Sequence, residues 1–454
     1  MGVGASGRRS ATGGGEAPAA GLGGLGGVGV PVEPVLRWSS RAEGIPATLR
    51  ELARIWSEPR LVTDVDGVEE RRVAARTSVL NLIVIAQRPE IGERAAATIA
   101  RLTGRHPSRT LIVLTGDPDG PSSLRARIEA QCVLPRPDAP ETCAEMIHLQ
   151  ARGAAGQHLD AVVAPLLVHD LPVTLWWPGE PPFASPAARA IFDLTDRLVV
   201  DGSGWSGDGL ARLRQMAGLL DAPGLAVSDF ALVRQSRWRE AIASVFDMPE
   251  LLPYLRYVRR IAVTYGARDP AAAAGATNVV KPVYHVAWLA SRLGLTVREP
   301  LAIRPARRHA RGAPAPARVH AAVLGGPHGD VAVTIGPMAS ALPGGTTLRV
   351  ELLCERRGSE LRAAISAEAE SVSVRARLDG LGMLERTFLA PRRTDVSLLG
   401  EAIETGSGDP ISAPTIRFAA DLVAECSRPA GGVPAQAAKE DRPATADAGR
   451  EAAG

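Results

Sequence analysis

Three basic residues, Arg105, Arg109 and Lys281, are candidates for binding a phosphate group, because guanidinium and ammonium groups pair with phosphate oxygens. Arg105 and Arg109 belong to the turn Arg-His-Pro-Ser-Arg, which precedes an apolar run that predicts a strand. Ligands of parallel sheets bind beyond the carboxyl ends of the strands, and this turn lies at the opposite, amino end. The sequence therefore favours a structural turn with a surface contact role. An enzyme or metabolite sensor that acts on a phosphosugar is the alternative.

Two carboxylates, Asp117 and Asp201, follow predicted strands and are candidates for acid–base chemistry. A carboxylate at the end of a strand can transfer protons to a ligand at that edge of the sheet. It can equally cap a helix N-terminus or fix a loop. We favour the capping or loop role.

Motifs that would identify a catalytic site are absent from the sequence. No Gly-x-Gly-x-x-Gly follows the first predicted strand, and there is no phosphate-binding loop of the Gly-x-x-x-x-Gly-Lys type and no Gly-x-Ser-x-Gly elbow. The 8 histidines include no His-Glu-x-x-His and no other spacing typical of metal ligands. The sequence therefore predicts no catalytic residue, no metal site and no cofactor.

Two adjacent tryptophans, Trp176 and Trp177, end a short apolar strand predicted over residues 173–177, and Pro178-Gly179 stops it. Successive residues of a strand point to opposite faces, so the two indoles cannot fill the same core layer. We expect one to pack under a helix and the other to face the far layer or an exposed edge. Trp176, Trp177, Pro178 and Gly179 are thus a candidate partner-binding platform, but we favour a central strand covered by helices on both faces, because large aromatic side chains lie mostly in cores.

The 4 cysteines, Cys132, Cys143, Cys354 and Cys426, contain no Cys-x-x-Cys pair. Scattered cysteines in a chain of this size are typical of reduced, mostly buried thiols in a cytosol. Cys132 and Cys143 are near enough in sequence to meet in space, which leaves a redox switch as the alternative. We predict structural thiols without a disulfide.

Composition restricts the class of partner. The 454 residues include 52 basic and 49 acidic side chains, with a formal net charge of +3, and this balance is unlike the basic stripe of a nucleic-acid binder. The sequence has no apolar stretch of about 18 residues and no secretory leader pattern. We therefore expect a cytoplasmic protein that binds neither nucleic acid nor a membrane.

The N-terminal half alternates strand and helix patterns, and this order predicts a parallel sheet. Predicted strands or extended segments are 79–86, 110–115, 124–133, 145–150, 173–177, 197–201 and 260–265, the last of them closing this domain. Predicted helices are 45–56, 89–102, 154–165, 187–194, 209–219, 237–246 and 282–293.

The C-terminal part is dominated by period-two alternation of apolar and polar residues, at 331–335, 347–352 and 371–375. Such alternation is typical of antiparallel strands solvated on one face, and a helix over 414–426 follows. The predicted fold class is α/β: an N-terminal mostly parallel sheet with helices on both faces, plus a smaller β-rich α+β C-terminal domain. The predicted divisions are a flexible Gly-rich tail (1–40), the α/β domain (41–300), a linker or exposed loop (301–318), the β-rich domain (319–428) and a disordered tail (429–454).

Six segments in this order and spacing resemble the glucose-6-phosphate dehydrogenase assembly protein (OpcA) family. They are Arg76-Thr77-Ser78-Val79-Leu80-Asn81-Leu82, residues 104–109 with the strand after them, residues 165–183 with Trp-Trp-Pro-Gly, Asp196-Arg197-Leu198-Val199-Val200-Asp201, Trp238-Arg239-Glu240 ahead of Phe246-Asp247, and residues 281–294. The resemblance covers residues 45–295 well and the β-rich region more loosely. It implies a non-enzymatic protein that binds glucose-6-phosphate dehydrogenase, promotes its active oligomer and so supports the oxidative pentose phosphate pathway and NADPH supply. It brings no residue-level site.

Overall fold

The structure is a computed structural model that describes residues 35–57, 63–65, 68–70, 75–133, 142–306, 318–405 and 409–424. The predicted tails 1–40 and 429–454 therefore lie outside the described residues, except for 35–40. Those residues are not a tail, because they begin a strand that pairs with residues 128–132.

Strands and helices are numbered in chain order. The strands are β1 (Val35–Glu43), β2 (Thr63–Val65), β3 (Val68–Glu70), β4 (Ala75–Arg76), β5 (Leu80–Ala86), β6 (Ser108–Thr115), β7 (Ser123–Val133), β8 (Thr142–Arg152), β9 (Val173–Trp177), β10 (Arg197–Val200), β11 (Ala226–Asp229), β12 (Val258–Ala267), β13 (Thr296–Pro305), β14 (Arg318–Gly326), β15 (Gly329–Ala339), β16 (Thr347–Arg356), β17 (Ser359–Ala367), β18 (Ser371–Leu378) and β19 (Leu381–Leu389). The α-helices are α1 (Gly44–Ser57), α2 (Pro89–Ala100), α3 (Ala154–Gln157), α4 (Leu159–Val163), α5 (Pro186–Phe192), α6 (Leu210–Ala217), α7 (Phe230–Val233), α8 (Ser236–Ala243), α9 (Val280–Leu293), α10 (Asp395–Glu404) and α11 (Ser412–Leu422).

Local sequence explains the first β–α unit. Every residue of β5 is buried, as expected for an apolar strand of a parallel sheet that is covered on both faces. Pro89 then opens α2, because its fixed φ suits the first helical position and its missing N–H removes no helical hydrogen bond. The strand predicted at 79–86 and the helix predicted at 89–102 are confirmed with small shifts of their ends.

The first sheet has the strand order β1-β7-β8-β6-β5-β9-β10-β11, with β4 beside β8. The strands from β8 to β11 along this order are parallel neighbours, and β7 and β1 complete one edge in antiparallel orientation. Helices α2, α7 and α10 cover one face, and α4, α5 and α6 contribute to the core on the other. The predicted fold class is confirmed.

The second sheet has the order β13-β14-β15-β12-β16-β17-β18-β19 and is antiparallel except for the pair β12–β15. Helices α8, α9 and α11 contact this sheet. The strand predicted to close the first domain, at 260–265, is instead central to this second sheet, because an apolar alternating strand fits either sheet.

The sheets do not divide the chain at the predicted boundaries. Residues 296–305 form β13, so the predicted linker 301–318 begins inside a strand and ends in β14, while 307–317 lie outside the described residues. Helices α10 and α11, which follow the second sheet, return to the first domain: α10 contacts α2 and α7, and α11 contacts α6 and β11. Long-range packing, which local patterns do not encode, decides this arrangement.

Cys132 and Cys143 form a disulfide. They face each other directly across the antiparallel pair β7–β8, so the register of the two strands brings their sulfur atoms together. The prediction that these two thiols are free is therefore wrong. Cys354 is a free, buried thiol, and burial raises its pKa to about 12. Cys426 lies outside the described residues.

Candidate functional site

Trp176 and Trp177 lie on opposite faces of β9, and both are buried, with 2% and 3% of their surface exposed. The ring of Trp176 is 6.1 Å from that of Phe230 in α7, and the ring of Trp177 is 6.1 Å from that of Phe192 in α5. The alternation predicted from the strand is confirmed. The favoured interpretation, a central strand covered by helices on both faces, is confirmed, and the platform with one exposed indole is wrong.

Pro178 and Gly179 are half-buried and lead into a loop that is fixed by Glu180. The Glu180 carboxylate accepts hydrogen bonds from the Ser206 backbone N–H at 2.9 Å and its hydroxyl at 3.1 Å, and forms an ion pair with Arg212 at 2.5 Å. Contact of Pro178 and Gly179 with a partner stays a prediction.

The three cations of the predicted phosphate site are separated. Arg109 is buried, where it donates to Glu145 at 2.5 Å and to the Leu166 carbonyl at 3.1 Å. Arg105 forms an exposed ion pair with Glu404 at 2.6 Å. Lys281 lies in the first turn of α9, near Asp201 and Asp229 at the opposite, carboxyl edge of the sheet. The predicted combination of Arg105, Arg109 and Lys281 on one phosphate is therefore wrong.

The carboxyl edge carries a glycine motif that was not predicted as a site. Gly202, Gly204 and Gly207 follow β10 with the spacing Gly-x-Gly-x-x-Gly, and α6 begins shortly after them. This spacing is typical of loops that bind the pyrophosphate of a dinucleotide through their backbone N–H groups. A search after every predicted strand, rather than after the first alone, would have found it.

Carboxylates of the chain itself accept hydrogen bonds from three N–H groups of this loop. The N–H of Gly202 donates to Asp229 at 2.9 Å, that of Ser203 to Asp201 at 3.2 Å, and that of Ser206 to Glu180 at 2.9 Å. A Cβ atom at Gly202 would lie 2.5 Å from Asp229 Oδ2, so the glycine is needed for the close approach of that carboxylate. The loop therefore has the spacing of a pyrophosphate site, but three of its N–H groups already donate to carboxylates of the chain.

Asp229 is the centre of this cluster and has no exposed surface. Its carboxylate accepts hydrogen bonds from Gly202 N, from Ala231 N at 2.7 Å and from the Tyr284 hydroxyl at 2.7 Å. Burial raises the pKa of Asp229 to about 6, with a further increase from the charge of Asp201, while these hydrogen bonds lower it. Burial and Asp229 together raise the pKa of Tyr284 well above its usual value.

Asp201, Arg234 and Lys281 form the half-buried outer part of the cluster. Asp201 accepts hydrogen bonds from Arg234 at 2.8 Å and from the Ser203 hydroxyl at 2.6 Å. Burial acts to raise the pKa of Asp201, but Arg234 and Ser203 outweigh it, and the net pKa is lowered. Burial, and then the charge of Arg234, lower the pKa of Lys281.

This geometry fits a structural junction and not a reaction centre. Asp229 and Tyr284 are fully buried, so no substrate reaches the pair that is best placed for proton transfer. His285, the next residue of α9, is also buried, and burial lowers its pKa to about 3, so it is neutral. Among the described residues, no group of three or more His, Cys, Asp or Glu side chains is placed to hold a metal ion. No helix in those residues is long and apolar enough to cross a membrane.

Solved structures with a similar arrangement include aldose-aldose oxidoreductase from Caulobacter crescentus complexed with glycerol, at 13% identity and a TM-score of 0.39, covering 76% of this chain and 94% of that one. UDP-N-acetylglucosamine 3-dehydrogenase GnnA from Acidithiobacillus ferrooxidans matches at 9% identity and a TM-score of 0.39, covering 76% and 95%. These values are too low to support an inference about function. A search of curated proteins found no match.

Two family models match consecutive parts of the chain. The model for the N-terminal domain of the glucose-6-phosphate dehydrogenase subunit matches residues 99–217, and the model for the C-terminal domain of the same protein matches residues 225–413. The first match contains the glycine loop and both tryptophans, and the second contains Asp229, α9 and the whole second sheet. The chain therefore belongs to the OpcA family of glucose-6-phosphate dehydrogenase assembly proteins.

Proposed function

We propose that the chain is a non-enzymatic assembly protein that binds glucose-6-phosphate dehydrogenase and promotes its active oligomer. In this role it acts in the cytoplasm at the entry to the oxidative pentose phosphate pathway and supports NADPH supply. It requires no cofactor of its own, and its partner is neither nucleic acid nor a membrane. The two family matches support the choice of partner.

The observation that carries the non-enzymatic role is the closure of the glycine loop by Asp229, Asp201 and Glu180. A dinucleotide pyrophosphate needs these N–H groups free and a positive potential around them. In this loop the N–H groups of Gly202, Ser203 and Ser206 are already bonded to carboxylates, and those of Gly204 and Trp205 donate to backbone carbonyls. The alternative of a phosphosugar enzyme or sensor loses its support as well, because Arg109 is committed to Glu145 and lies at the other edge of the sheet from Lys281.

The test combines co-purification with an activity assay. The full chain is mixed with purified glucose-6-phosphate dehydrogenase from the same source, and the mass of the complex and the rate of NADPH formation are measured across a titration. We expect a complex, a shift of the dehydrogenase to a larger oligomer and a higher rate, whereas heat-denatured chain should have no effect. Turnover of glucose 6-phosphate or its lactone by the chain alone, free of contaminating enzyme, would contradict the proposal.

A further inference from the structure

Within residues 258–389, one face of the second sheet is not covered by the helices that the structure describes. Alternate residues of β16, β17 and β18 are buried on the side of α8 and α9, while the residues between them are half-buried or exposed. Eight strands spaced about 4.8 Å apart, each with about 27 Å of paired length, make a face of roughly 900 Å². A stable protein–protein interface buries about 800 Å² on each partner, so this face is large enough to hold one.

Arginines are concentrated on this face. Arg260, Arg349, Arg362, Arg375 and Arg377 line a shallow cavity of about 330 Å³, together with a single carboxylate, Glu351. The register places Arg260 of β12 opposite Leu353 of β16, Leu353 opposite Arg362 of β17, and Arg362 opposite Arg377 of β18. Three guanidinium groups therefore stand in one row across four strands, with a half-buried leucine between the first two. We call Arg260, Arg362 and Arg377 the arginine row.

The charges of the arginine row are only partly balanced by the residues that the structure describes. Arg362 pairs with Glu360 of its own strand, and neighbouring Arg349 and Arg375 pair with Glu351 at 3.0 Å and Glu385 at 2.9 Å. Within the part of the chain that the structure describes, Arg260 and Arg377 have neither an ion-pair partner nor a side-chain hydrogen bond. Like charges directly opposite each other on neighbouring antiparallel strands destabilise a sheet, and Arg362 and Arg377 are such a pair.

We propose that the arginine row is the docking surface for a carboxylate-rich surface of the partner dehydrogenase, an inference that rests on the proposed function. Carboxylates from the partner would balance the unpaired guanidinium groups and separate the like charges of Arg362 and Arg377. Arginine forms two parallel hydrogen bonds to a carboxylate, and arginines are enriched among the residues that dominate binding energy. Leu353 supplies an apolar contact within the row. The tryptophans of β9 are buried and take no part.

Charge reversal in the full chain tests the proposal, with binding to the purified dehydrogenase measured by titration at low and at high salt. Arg377→Glu and Arg260→Glu should each weaken binding at least tenfold, and the affinity of the unaltered chain should fall as salt screens the charges. Arg377→Glu should melt at or above the unaltered temperature, because an opposite-charge pair with Arg362 replaces a like-charge pair. A loss of binding in this variant therefore cannot be attributed to unfolding.

The matched control is Arg386→Glu. Arg386 is exposed on the neighbouring strand β19 and lies opposite Val374, a buried residue of the covered face. This variant should bind the dehydrogenase as the unaltered chain does.

Three results overturn the inference. Affinities of Arg377→Glu and Arg260→Glu within twofold of the unaltered chain would show that the partner binds elsewhere, while leaving the proposed function intact. A second result would be that the isolated unaltered chain has the mass of a dimer and these variants that of a monomer, with unchanged dehydrogenase affinity. The face would then bind a second copy of this chain. Absence of any binding by the unaltered chain would overturn the proposed function itself, and this inference with it.

Discussion

Tyr284 of α9 donates a hydrogen bond to Asp229 at the end of β11, with 2.7 Å between the two oxygens, and both residues are fully buried. Asp229 in turn holds the glycine loop that follows β10. Helix α9 also contacts β12, β15 and β16 of the second sheet. This one bond therefore connects the carboxyl edge of the first sheet to the helix on which the second sheet packs.

Replacing Tyr284 with Phe should destabilise the chain by about 1–3 kcal/mol, because a buried carboxylate loses one of its donors. Urea unfolding at neutral pH measures the change. Tyr265→Phe is the matched control: Tyr265 is equally buried, but within the described residues its hydroxyl has no hydrogen-bond partner, and burial raises its pKa to about 12. Its removal should leave stability unchanged or slightly raised. Equal losses in the two variants would show that the bond from Tyr284 contributes nothing.

The pKa of Asp229 predicts a pH dependence of stability. The pKa rises from its usual 3.8 to about 6 in the folded chain, so the folded state binds this proton more tightly than the unfolded state does. The contribution of Asp229 to stability is therefore present below its unfolded pKa and is lost as pH rises through about 6, by at most about 3 kcal/mol. Asp201, Arg234, Lys281 and Tyr284 surround Asp229, and the negative charge of Asp201 adds to the rise in its pKa.

Asp229→Asn isolates this effect, since the amide keeps an acceptor for the backbone N–H groups and does not titrate. Free energies of unfolding are measured for both chains from pH 4.5 to 7.5. The free energy of the unaltered chain minus that of the variant should decrease with increasing pH. Parallel curves over this range would mean that Asp229 has an ordinary pKa in the folded chain.

Both tryptophans should behave as core residues. Trp176→Ala and Trp177→Ala should each reduce the free energy of unfolding by about 3–5 kcal/mol, with no loss of dehydrogenase affinity in the fraction that remains folded. Trp176→Phe should cost less than Trp176→Ala, because the Trp176 indole N–H has no hydrogen-bond partner in the described residues. Thermal melts and binding titrations on the same preparations separate the two effects. If either variant keeps its melting temperature but binds the dehydrogenase more weakly, that tryptophan contacts the partner, as the platform hypothesis predicts.

Features set by local pattern were predictable from the sequence. The apolar run of β5, the proline that opens α2 and the opposite orientation of Trp176 and Trp177 each follow from a few neighbouring residues. Strand β11 escaped prediction because Ala-Val-Ser-Asp is too short and too polar to stand out, although it supplies Asp229.

Features set by long-range pairing were not predictable. The burial of the second tryptophan depends on Phe192 of a following helix, and the disulfide depends on the register that places Cys132 opposite Cys143. The assignment of β12 to the second sheet depends on its partners β15 and β16, which are far along the chain. The arginine row likewise exists only once four strands are aligned, since Arg260 and Arg377 are distant in sequence.

The disulfide between Cys132 and Cys143 predicts which cysteines an alkylating reagent can modify. Alkylation of the denatured chain without reductant should modify Cys354 and Cys426 and leave Cys132 and Cys143 unmodified, whereas prior reduction should expose all 4 cysteines. In the chain-entropy model, closing a loop with a sequence separation of 11 stabilises the fold by about 3 kcal/mol, so Cys132→Ser together with Cys143→Ser should lower the free energy of unfolding by up to this amount. Cys354→Ala is the control, because it removes a buried thiol that is not in the disulfide, and it should leave the alkylation of the other cysteines unchanged. If mass spectrometry finds four modified cysteines without reductant, Cys132 and Cys143 are free thiols, as the sequence predicts.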